Sequence, residues 1–124
     1  MRLMLCVLVL SGMIVALFGC TEEKEIAVDD LYGLWEVVYA ERNGHPAETV
    51  KGAQFDVRES GEMTTDITGK EVVGDFSFEE GNITHHTETE FVYAVRDIQQ
   101  DTMHLHVEIK GLEFMLELAK QQKE

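Results

Sequence analysis

The sequence predicts an all-β fold: an eight-stranded antiparallel up-and-down barrel behind an N-terminal signal segment. Three observations predict it. Apolar and polar residues alternate in eight successive stretches between Leu31 and Leu118, the period of a half-buried strand. Turn residues punctuate the stretches at Asn43-Gly44, Ser60-Gly61, Thr68-Gly69, Glu80-Gly81-Asn82 and Lys110-Gly111, where the chain must reverse. Beyond the signal segment, no window of comparable length carries a sustained helical stripe. A meander of short strands exposes two aggregation-prone edges, and closing it into a barrel removes both.

The leader comes first in the chain. Met1-Arg2 is a basic start, Leu3 to Phe18 is an apolar run broken only by Ser11 and Gly12, and Leu17-Phe18-Gly19-Cys20 follows. The run is shorter than the roughly 20 apolar residues a spanning helix needs and ends at a small residue, the layout of a cleaved secretory signal. Its end resembles the lipobox of bacterial lipoproteins, with aliphatic Leu17, small Gly19 and the cysteine at Cys20; Phe18 is bulkier than that family's usual residue. The resemblance implies a signal peptide over residues 1–19 and acylation of Cys20, with palmitate-like chains, as the first mature residue. Residues 20–27 then form a lipidated polar tether. In Thr21-Glu22-Glu23-Lys24-Glu25 a hydroxyl residue followed by acids resembles the surface-export signal of some Gram-negative lipoproteins, and Thr21 is not the aspartate that retains many in the inner membrane. The expected location is the bacterial outer membrane, lipid-anchored, with exposure at the cell surface. Cys6 and Cys20 are the only cysteines. The first is lost with the leader and the second is acylated, so the domain is expected to stand on its core without a disulfide.

Composition bounds the partners. The chain carries 24 acidic against 10 basic residues, a formal net charge of −14 at pH 7. Such a surface repels phosphate backbones, which argues against nucleic acid, and resists lying on anionic lipid, so the membrane is held through the lipid at Cys20.

Residues 28–119 are read as one domain. Leu31, Gly33, Trp35, Val37 and Tyr39 share a face of the first strand, Ala53, Phe55 and Val57 of the second, and Met63, Thr65 and Ile67 of the third. Val72, Gly74, Phe76 and Phe78 make the fourth, Ile83 marks the fifth, and Phe91, Tyr93 and Val95 the sixth. Met103, Leu105, Val107 and Ile109 make the seventh; Leu112, Phe114, Leu116 and Leu118 make the eighth. The one long irregular connection, Glu41 to Gly52, holds the only proline, Pro46, and suits a loop over one mouth. Residues 120–124 are a polar tail.

Leu31-Tyr32-Gly33-Leu34-Trp35 resembles the Gly-x-Trp signature of lipocalins, and the body is similar to the short lipocalin-like domains of bacterial lipoproteins. The resemblance implies that Gly33 allows close strand packing and that Trp35 plugs the closed end of a barrel. The sequence departs from the family in having no C-terminal helix and no arginine in its last strand to cap the tryptophan.

An eight-stranded barrel is just wide enough to be filled by side chains or to hold one small ligand. The inward set contains Trp35, Tyr39, Phe55, Phe76, Phe78, Phe91, Tyr93 and Phe114. Most of these are expected to be packing, and Trp35, Phe55, Phe76, Phe91 and Tyr93 are the candidate lining of a small apolar site under the 41–52 loop. His104 and His106 project from one strand face, with His85-His86 in a nearby short strand, and are the candidate metal ligands. Alternation turns them outward beside Thr102, Glu108 and Lys110, so a solvated face is the better reading. No cofactor is expected. Ser60 and Ser77 lack a recognisable partner spacing, and no phosphate loop or zinc-helix motif is present, so the chain is not read as an enzyme. Two functions remain: a membrane-anchored carrier of a small apolar ligand, or a filled barrel that meets a protein or glycan partner through its surface and loops. Replacing Cys20 with Ala should release the protein from the membrane fraction or leave the leader uncleaved; normal processing with full membrane retention would contradict the lipobox reading.

Overall fold

A computed structural model describes residues 25–122; the leader, Cys20 and most of the tether lie outside the described residues. Nine strands follow in chain order: β1 (Gly33–Arg42), β2 (His45–Pro46), β3 (Gln54–Val57), β4 (Glu62–Thr65), β5 (Val72–Glu79), β6 (Asn82–His86), β7 (Phe91–Gln99), β8 (Thr102–Ile109) and β9 (Leu112–Lys120). The two-residue β2 folds back on the end of β1, with Glu41 opposite Pro46 and Arg42 opposite His45. The other eight strands pair antiparallel in sequence order and β1 also pairs with β9, which closes an up-and-down barrel. Three hairpins turn on Asn43-Gly44, Glu80-Gly81 and Lys110-Gly111, with positive φ at both central residues, as tight turns matched to strand twist require.

The two ends differ. Entry into β1 passes through a 3-10 turn, Val28–Leu31, whose Leu31 is fully buried. Because strands alternate in direction, the turns after β3, β5 and β7 and the end of β9 lie at this same closed end. The opposite mouth carries the 43–53 connection, the 66–71 and 87–90 loops and the Lys110-Gly111 turn. The 43–53 connection folds inward: Ala47 is buried and its N–H donates to the Ala40 carbonyl at 2.9 Å.

Trp35 holds the closed end together. Its indole Nε1–H donates to the Leu31 carbonyl at 2.9 Å, which ties the 3-10 turn to the barrel and satisfies the one polar atom of a buried ring. Lys120, opposite Trp35 on β9, places its ammonium 5.4 Å from the indole centroid, within cation–π range. Gly33 makes room for it. A Cβ there would stand 2.6 Å from Lys120 Cε, and Gly33 has a φ of +137° that L side chains rarely adopt. The cationic cap that the last strand lacks as arginine is thus supplied by a lysine, two residues beyond Leu118 on the same face.

Two bulges reset the inside–outside phase. On β1 the register steps from Val37 opposite Leu118 to Tyr39 opposite Glu117, leaving Val38 as the extra residue. Ala40 then takes the inward place and Tyr39 is 43% exposed, so the expectation of an inward Tyr39 is corrected. On β7 the step from Val95 to Asp97 leaves Arg96 extra and brings Ile98 opposite Met103. An added residue of this kind bends and twists a strand.

Trp35→Ala should destabilise the domain by roughly 3–5 kcal/mol, the usual cost of truncating a buried large aromatic. Urea unfolding measures it. Gly33→Ala should cost less but still lower the midpoint, through backbone strain and displacement of Lys120 from the indole.

Candidate functional site

The five aromatic residues expected to line a site face the barrel interior from β1, β3, β5 and β7. Trp35 and Phe55 are cross-strand partners on β1 and β3, each 1% exposed. Phe55 meets Tyr93 edge to face, with centroids 5.4 Å apart and planes at 88°, a favoured aromatic geometry. Phe91 stands 6.4 Å from Tyr93. Phe76 and Phe91 are the cross-strand neighbours of His85, one on either side, and both are only half buried. The centre is therefore packed by Trp35, Phe55 and Tyr93, while Phe76 and Phe91 bound the row nearer the mouth.

His85, which the sequence places only in a short strand near the His104–His106 pair, joins this group in the interior. It shares the inward phase of Ile83 and is fully buried. Its Nε2 lies 2.8 Å from the Met63 carbonyl. A carbonyl can only accept, so Nε2 carries the proton and Nδ1 of the neutral ring is a bare acceptor. Nδ1 has no partner among the described residues, and neither does the buried Tyr93 hydroxyl. Each such atom costs about 1–3 kcal/mol when left unpaired. Burial pushes the His85 pKa down, opposed by the Met63 and Gly74 carbonyls and assisted slightly by His86. Burial pushes the Tyr93 phenol up. Gly74 beside this row has no room for a side chain: a Cβ would overlap the His86 carbonyl.

The outer wall carries a polar ladder built by the two bulges. Tyr39, Glu117, His104 and Asp97 fall opposite one another across β1, β9, β8 and β7. His104 Nδ1 lies 2.7 Å from Asp97 Oδ1 and Nε2 lies 3.3 Å from Glu117 Oε1. Only the imidazolium can donate to both carboxylates, so the hydrogen bond to Asp97 raises its pKa first, burial lowers it, and Glu117 raises it further. Tyr39 Oη donates to Glu41 Oε2 at 2.8 Å. His106 faces outward too and accepts from Arg96 at 3.1 Å. Among the described residues, no group of three or more His, Cys, Asp or Glu side chains is arranged to hold a metal ion; His104 and His106 point to different neighbours rather than to a shared centre.

Several of the best-defined clefts among the described residues are lined by residues other than the five aromatic candidates. At the closed end, clefts of about 600 Å³ beside Gly33 and Lys120 and about 760 Å³ beside Ile26 and Phe78 open to solvent. A shallow one of about 150 Å³ lies over Tyr39, His104 and Met115 on the outer wall.

No protein-family model matches this chain, and no curated protein gives a significant match. The functional reading therefore rests on the geometry of this barrel.

The two histidines should titrate in opposite senses. His104 contributes stability that is fully present below the ordinary value of 6.5 and fades as pH rises through its raised pKa. It is exposed, so the effect is small. His85 favours the folded state while neutral, so its contribution is present above 6.5 and is lost as pH falls toward its lowered pKa. Histidine-resolved NMR titration should place the His104 midpoint above 6.5 and the His85 midpoint below it; coincident midpoints would contradict both environments.

Proposed function

We propose that the protein is a lipid-anchored, lipocalin-like binding module of the bacterial outer membrane that holds a small apolar ligand in the mouth half of its barrel. One observation supports the reading: two buried polar atoms, His85 Nδ1 and Tyr93 Oη, have no partner among the described residues. The 3-10 turn, Trp35 and Lys120 seal one end, and these two atoms lie in the row that the partly buried Phe76 and Phe91 flank. Each of these atoms calls for a polar partner, supplied by a buried water or by the polar group of a guest. The constellation of Gly33, Trp35 and a basic residue at the end of the last strand supports the lipocalin resemblance, although a shared fold does not carry a ligand with it. The tether favours presentation of the mouth to the aqueous side. Glu25 lies at the closed end beside Gln100 and Asp30, and the five residues from Cys20 to Glu25 reach at most about 18 Å.

The second reading, an interaction module with a filled barrel, is favoured by the tight packing of Trp35, Phe55 and Tyr93 at the centre. Native mass spectrometry of the acylated protein purified from its own host separates the two. The binding reading predicts an added mass beyond the acyl chains that dissociates on unfolding; a single species at the acylated mass would favour the interaction module.

A further inference from the structure

The unpaired atoms beside the mouth define the chemistry of a guest. His85 Nδ1 is an acceptor without a donor, because its Nε2 proton is given to the Met63 carbonyl. Tyr93 Oη is a hydroxyl without any partner. The two side chains project inward from adjacent strands as diagonal neighbours, since His85 is paired with Phe91 and Tyr93 with Ile83. Diagonal neighbours lie roughly 7–8 Å apart at the backbone and within reach of long side chains. One oxygen making two hydrogen bonds of about 2.8 Å spans roughly 5 Å between its partners, a gap that two such side chains can bracket.

We propose that His85 and Tyr93 form a hydroxyl-recognition site, and that its guest is a neutral apolar alcohol whose O–H donates to His85 Nδ1 while its oxygen accepts from Tyr93 Oη. This rests on the binding reading above and narrows it. A carboxylate or an ether has no proton to give Nδ1, and an ammonium has no lone pair to accept from Tyr93. An uncharged head group also suits an interior in which the charged form of His85 is disfavoured by burial. The alkyl body lies along Phe76 and Phe91, the apolar neighbours on either side of His85. A hydroxyl-bearing lipid and a free alcohol share this chemistry.

The test uses the full acylated chain in nanodiscs, titrated with 1-octanol, octyl methyl ether and octanoate at pH 8, with empty nanodiscs as the partition control. Binding is read from Trp35 fluorescence and the ¹⁵N shift of His85 Nδ1. The expected result is that octanol binds about tenfold more tightly than the ether or the anion, the net worth of roughly one hydrogen bond. Tyr93→Phe removes a donor that the octanol and ether oxygens can both use, so it should weaken both to a similar degree, leave octanol's preference over the ether in place because that preference comes from donation to His85 Nδ1, and keep or raise the thermal midpoint. Equal affinities for octanol and ether, with Tyr93→Phe indifferent, would overturn the hydroxyl site and leave apolar binding standing. No binding of any probe would overturn both, and the pair would then hold a buried water only. Octanol binding with a thermal midpoint sharply lowered in Tyr93→Phe would overturn the assignment of Tyr93 as an unpaired group.

Discussion

The indole of Trp35 is the point on which the closed end depends. It hydrogen-bonds back to Leu31, packs against Phe55 on β3, and lies under the ammonium of Lys120 on β9. Those contacts join the entry turn, the first strand and the last strand. The β1–β9 seam they secure is what turns a meander into a barrel without free edges. No cysteine lies among residues 25–122, so the domain has no covalent cross-link to substitute for this seam. Gly33 belongs to the same device, because only a residue without a Cβ lets the lysine stem cross the strand beside the ring.

Strand content was legible because burial in a small barrel imposes a strict two-residue period. The inward residues of β3, β4, β8 and β9 fall where alternation puts them, from Phe55 and Val57 to Leu116 and Leu118. The bulges were not legible. Val37-Val38-Tyr39 reads as an uninterrupted strand, and the extra residue is decided by register with β9, which no local pattern encodes. Lys120 and His85 present a different case. Each keeps the inward phase of its strand, two residues from Leu118 and Ile83 respectively, so the signal was present. Residue type argued against burial and outweighed phase. A polar residue on an inward position is the informative exception in a barrel, and both exceptions here have a structural or functional consequence.

The two faces of the wall solve opposite electrostatic problems. Outside, the bulges bring Asp97 and Glu117 to opposite sides of His104 and use an otherwise repulsive acidic surface to stabilise a cation. Inside, the imidazole of His85 is kept neutral by burial and left with one acceptor unmet. A fold stabilised only by packing would be improved by replacing His85 and Tyr93 with apolar residues of similar size. Sites that sacrifice stability in this way are where function is expected, and here they lie between the packed centre, at Tyr93, and the mouth-side row, at His85.

The chain has a single tryptophan, so the seal can be observed directly as one indole N–H resonance. Hydrogen exchange at Trp35 Nε1–H is the most direct measurement. A closed barrel sealed at this ring predicts that the proton exchanges only through global unfolding, with a protection free energy equal to that from urea denaturation. Exchange faster than global unfolding, at the rate of a locally opening loop, would show that the closed end is not sealed by Trp35 and would contradict the account.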